Sequence, residues 1–96
     1  MTDLSGVVTT KPTFFYGTHT HCVHEQFGLH TDAGDVQVID NVDIAPRVPL
    51  APGDHVEVRG EMVHDAGKPP IIHWTHHDPE HVHPDGFIRF AGRTYW

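Results

Sequence analysis

Apolar and polar residues alternate in short runs along most of this chain, and nowhere do apolar residues recur at i, i+3, i+4 and i+7 over three turns. That period predicts strands and no amphipathic helix. The first strand is expected over Ser5–Thr13, with Pro12 marking a bulge or a sheet edge because it has no N–H for a ladder. Phe14–His21 follows as a loop or a second half-strand. In Cys22–His30 the residues Val23, Glu25, Phe27 and Leu29 share one largely apolar face, and His24 lies on the other. Asp32-Ala33-Gly34 is a tight connection from this strand into Asp35–Ile44, giving a hairpin. Ala45–Asp54 carries three prolines in ten residues, too broken for a helix, and ends in a Pro-Gly-Asp turn. The next strand, His55–His64, is expected to bury Val56 and Val58 and to show His55, Glu57 and Arg59. Asp65–Pro70 turns the chain into Ile71–His77, with Ile72 and Trp74 inward beside His76, and His73, Thr75 and His77 outward. Pro84-Asp85-Gly86 turns it again into Phe87–Phe90 and Arg93–Trp96.

Five to seven short strands with proline connectors make an all-β fold. A small OB-like barrel is the expectation, because closure removes exposed sheet edges, and a small β-sandwich is the alternative. Ninety-six residues suffice for one modest core, so residues 1–96 are read as a single domain. A hydrophobic content of 38% is that of a chain that folds.

Charge narrows the partners. Six Lys and Arg against thirteen Asp and Glu leave a net charge of −7, a field that repels phosphate backbones, so nucleic acid is a disfavoured partner at neutral pH. The eleven histidines make that field conditional, since protonating all of them turns −7 into +4. The lone Cys22 excludes an internal disulfide and a thiolate zinc knuckle, and it reads as a small half-buried residue rather than a nucleophile. The opening MTDLSGVVTT has neither a basic nor an apolar leader segment, and no apolar run approaches the ~18 residues that span a bilayer. A cytoplasmic chain with no membrane partner is the expectation.

The histidines carry the candidate chemistry. Nine of the eleven fall into two clusters, His19, His21, His24 and His30, then His73, His76, His77, His81 and His83, with none between residues 31 and 54 and only His55 and His64 outside them. Two His-x-His pairs, His19/His21 and His81/His83, have a chelating spacing, because strand residues i and i+2 face the same way roughly 6.5 to 7 Å apart. His76 and His77 are adjacent and would face opposite ways in a regular strand. Asp78 precedes Pro79, which favours an extended residue and a turn, and a turn there would bring His77, Asp78 and His83 toward a common point. Imidazole nitrogens with or without a carboxylate suit zinc first, with copper, nickel or iron as alternatives, and disfavour calcium and magnesium. His76 and Asp78 with a later histidine also follow the loose order of a non-heme iron facial triad. The expected ligands are His24, His73, His76, His77, Asp78 and His83, with His77 and His83 foremost and Asp78 either ligating or orienting a ring. Asn41 and Asp43 read as a turn capping the proline connector.

The segments Asn41–Glu61 and Ile71–Pro79 (IIHWTHHDP), with His83 and Asp85–Ile88, resemble a family of small bacterial proteins known only as a domain of unknown function. The resemblance spans roughly Val7 to the C-terminus. It implies an OB-like barrel and a site around His24, Asn41, His73, His76, His77, Asp78 and His83, and it implies no activity.

Three functions remain open. The first is a transition-metal-binding barrel. The second is a metal-dependent hydrolase, such as a phosphodiesterase or nuclease, in which a histidine is general base and the ion polarises the substrate. The third is an OB-type module that binds protein or oligonucleotide and is switched by histidine protonation.

Overall fold

A computed structural model describes every residue from Met1 to Trp96. Eight strands form: β1 (Thr2–Val8), β2 (Thr13–Gly17), β3 (Cys22–Thr31), β4 (Gly34–Asn41), β5 (His55–Val63), β6 (Ile71–His73), β7 (Phe87–Phe90) and β8 (Arg93–Tyr95). There is no helix, and about 51% of the chain is strand. Five of the strands close on themselves in the order β1-β3-β4-β6-β5, with β5 returning to β1. All barrel pairs are antiparallel except β4 with β6, which run parallel through Gln37↔Ile71 and Val38↔Ile72. This is a small OB-like barrel, not a sandwich. The extra strands lie outside the closed ring: β2 extends the β3 ladder, β7 pairs with β5, and β8 pairs with β7.

Alternation accounts for what is inside. Val8, Phe27, Leu29, Val36, Val38, Val56, Val58, Ile72 and Ile88 project from successive strands into one core, closed by Val48 and Leu50 of the proline connector and by Tyr95. The β3 and β5 faces lie as the alternation predicts, with His24 across the sheet from Phe27. Three polar residues also face inward at one end of the barrel, Glu25, Asp40 and Thr75, each fully buried.

Three boundaries differ from the expectation. The first strand is β1 over Thr2–Val8, then a break, then β2; at the break the Gly28 N–H turns to the Thr10 hydroxyl (2.8 Å), a side chain standing in for a ladder carbonyl. β4 stops at Asn41 instead of Ile44. There the Asn41 side chain accepts the Asp43 N–H (3.1 Å) and Asp43 accepts the Val23 N–H (2.8 Å), so the pair does cap the connector. β6 ends at His73 rather than His77, because Trp74 takes a left-handed backbone (φ 56°) and resets the alternation. Thr75 consequently points inward and Trp74 outward, the reverse of the expected facing.

Candidate functional site

The reset at Trp74 sends the chain into a loop, residues 74–86, folded around Asp78. The Asp78 carboxylate accepts backbone N–H groups from Glu80 (3.0 Å), Val82 and His83 (2.9 Å), while its own N–H donates to Asp85 (3.0 Å). Those bonds, that of His83 foremost, hold its carboxyl below the usual range, with burial opposing them. The acid is therefore spent on folding the loop. The Gly86 N–H closes it on the His76 carbonyl (2.9 Å).

The loop returns His83 over Trp74. Their rings stack at 4.2 Å and 6°, and His73 also stacks on Trp74 at 4.9 Å and 13°, giving three nearly parallel rings. His76 meets His83 edge-on at 5.6 Å and 73°. Opposite stands the outer face of β3 and β4, with His24, Ile39, Asn41 and the following Ile44. Between the walls lies a cleft of about 300 Å³.

Hydrogen bonds assign the ring nitrogens. His76 Nδ1 lies 2.6 Å from the His77 carbonyl, and His83 Nδ1 lies 2.8 Å from the Pro84 carbonyl. A carbonyl only accepts, so both rings carry Nδ1–H and keep the neutral-form lone pair on Nε2. Burial lowers the His76 pKa, and the nearby His83 and His77 lower it further against the pull of the His77 carbonyl. His24 is also lowered by burial, with the Asp40 backbone and Asp43 opposing. Its Nε2 is engaged by the Thr20 hydroxyl (2.8 Å), Phe15 stacks on it at 5.3 Å, and its buried Nδ1 has no well-formed partner.

Of the expected ligands, His24, His73, His76, Asp78 and His83 all line this cleft, together with Asn41. His77 does not. Its Nδ1 donates to the main-chain oxygen of Trp96, and it borders a separate hollow with Asp85 and Trp96. The bend at Asp78 follows both His76 and His77, so it leaves their opposite facing intact. His73 lies 3.4 Å from its cross-strand partner Glu61, His24 has its Nε2 engaged by Thr20, and the Asp78 oxygens are occupied as described. No group of three or more His, Cys, Asp or Glu side chains is poised to hold a metal ion. The pair His76 and His83 retains free Nε2 atoms.

Sequence reasoning passed over two parts of this neighbourhood. Alternation places Trp74 in the core, and nothing in it flags a left-handed tryptophan. The Glu25, Asp40 and Thr75 cluster beneath the cleft did leave a signal: Asp40 continues the inward series Val36, Val38, as Glu25 does with Phe27 and Leu29.

Fold and cleft together define a small OB-like barrel with an imidazole-lined cleft on the outer face of β3 and β4. A family model described as a protein of unknown function (DUF3465) matches residues 8–96, and the chain belongs to that family. No curated protein and no solved structure matches it.

Proposed function

We propose that the cleft binds a transition-metal ion through Nε2 of His76 and His83, zinc before copper, nickel or iron. One observation carries this reading: two neighbouring rings each have Nδ1–H tied to a backbone carbonyl and Nε2 free. Such an anchor fixes the tautomer and orientation that a ligating imidazole needs. With nitrogen–metal distances of ~2.1 Å, two imidazoles in one tetrahedral shell have ring centres roughly 5 to 6 Å apart. The 5.6 Å between His76 and His83 suits that arrangement. Burial supports it further, because a ring with a lowered pKa meets a cation without first losing a proton.

Two protein ligands leave the remaining positions to water or to a small molecule in the cleft. Asp78 supports them by holding the loop, and its carboxylate lies 3.8 Å from His83 Nε2, on the coordinating side of that ring. The test is zinc stoichiometry and affinity by calorimetry on protein purified without a metal column. One ion per chain is expected, lost in His76→Ala and in His83→Ala and kept in His77→Ala. Equal binding by all three variants, or none by the unaltered chain, overturns the reading.

A further inference from the structure

We infer that Glu25 and Asp40 share a single proton, and that this carboxyl–carboxylate bond, gripped by Thr75, anchors the cleft loop to the barrel.

The two residues are cross-strand partners on β3 and β4. Directly opposed residues on one sheet face have Cβ atoms roughly 4.5 to 5.5 Å apart, within reach of each other's carboxyl groups. Both are fully buried. Each has one oxygen satisfied: Glu25 Oε1 accepts the Val48 N–H (2.9 Å), and Asp40 Oδ1 accepts the Thr75 hydroxyl (3.0 Å). Each also has one buried oxygen with no protein donor, Glu25 Oε2 and Asp40 Oδ2.

Two ionised carboxylates would leave both of those oxygens unsatisfied and place like charges together in the core. Two neutral acids would add a second proton that the arrangement does not need. One proton satisfies both oxygens at once, with one group donating and the other accepting, and leaves a single negative charge.

The surrounding groups say where that charge rests. Arg47, from the connector after β4, and Lys11, from the link between β1 and β2, are the cations on the Glu25 side. Asp40 faces Thr75 and Glu25, while His24 and Asp43 lie toward the outer face of the sheet and His76 follows Thr75. Burial and Glu25 push the Asp40 pKa up to about 7, against Thr75 and the Asn41 backbone. Burial also raises Glu25, with Val48 and Arg47 opposing. The cations on the Glu25 side favour the negative charge there, while the proton belongs to the pair as a unit.

The consequence reaches the cleft. Ile39 and Asn41, on either side of Asp40, line its floor, and Thr75 sits between Trp74 and His76. Above the titration of the pair, two charges repel beneath that floor and the anchor loosens.

Carbon-13 NMR of the carboxyl groups in the intact chain tests the inference. Glu25 and Asp40 are expected to titrate as a coupled pair, with one proton persisting to neutral pH. Two independent acids, both ionised by pH ~5.5 as ordinary carboxyls are, would overturn it. Thermal midpoints give a second reading. The unfolded chain releases these protons in the ordinary carboxyl range, so the pair's contribution is full below that range and is lost as pH rises through about 7. The midpoint of the unaltered chain minus that of Asp40→Asn should shrink between pH 5 and pH 8; a constant difference counts against the shared proton. Should that variant fail to fold, Glu25→Gln and the NMR titration of the unaltered chain decide the matter.

Discussion

Replacing Thr75 with valine tests the anchoring of the cleft loop most sharply. Thr75 is fully buried, and its hydroxyl is the protein donor to Asp40 Oδ1 at 3.0 Å. Valine keeps the branched shape and deletes that donor, leaving Asp40 Oδ1 buried without its hydroxyl partner. A hydrogen bond to a charged or strongly polar group contributes roughly 1.5 to 3 kcal/mol, and an abandoned acceptor costs its desolvation. The expected loss is about 2 kcal/mol, which for a chain of this size lowers the midpoint by about 8 to 16 °C. Thr75→Ser supplies the comparison. It keeps the hydroxyl and removes one methyl, at a cost of about 1 kcal/mol. Denaturant melts of both variants, followed by tryptophan fluorescence, should therefore rank serine above valine. If valine is as stable as serine, the hydroxyl is not holding Asp40, and the account of this end of the barrel fails.

Other consequences are equally open to measurement. A Cβ on Gly86 would overlap the Trp74 and Arg59 carbonyl oxygens, backbone atoms with no freedom to move aside, so Gly86→Ala should cost about 2 to 3 kcal/mol in a denaturant melt. Trp74→Ala removes the ring on which His73 and His83 stack; it should weaken zinc binding several-fold while leaving the β3–β4 amide pattern in NMR spectra unchanged. His24 and His76 have pKa values lowered below the ordinary 6.5, so the unfolded chain takes up their protons first. Their stabilising contribution is full above pH 6.5 and is lost as pH falls toward their folded values, and the melt of His76→Ala should lose part of that acid-side slope.

The barrel could be read from the chain because closure is written in alternation. Val56 and Val58, or Phe27 and Leu29, leave no choice of which face turns inward once a strand is drawn through them. Strand ends were less legible, because side chains decide them: the Thr10 hydroxyl replaces a ladder acceptor, and the Asn41 and Asp43 carboxamide and carboxylate bend the chain early. The cleft was legible as a meeting of His24 with the second histidine cluster, since both lie where β3, β4 and the loop after β6 converge. Which histidine would turn away was not. His76 and His77 are equivalent in composition, and their difference rests on the left-handed Trp74, a single backbone angle that no periodicity encodes. Asp78 shows the same limit: its place beside Pro79 marks a turn, but only the folded loop reveals that its oxygens are occupied by three N–H groups.

Nitrogen-15 NMR of the imidazoles during a zinc titration addresses the central claim, that His76 and His83 offer Nε2 to one ion. The Nε2 resonances of both should move together and saturate at one zinc per chain, while their Nδ1 atoms stay protonated against the His77 and Pro84 carbonyls. Unmoved resonances at these two rings, with zinc shifting His77 or the exposed His19 and His21 instead, would contradict it.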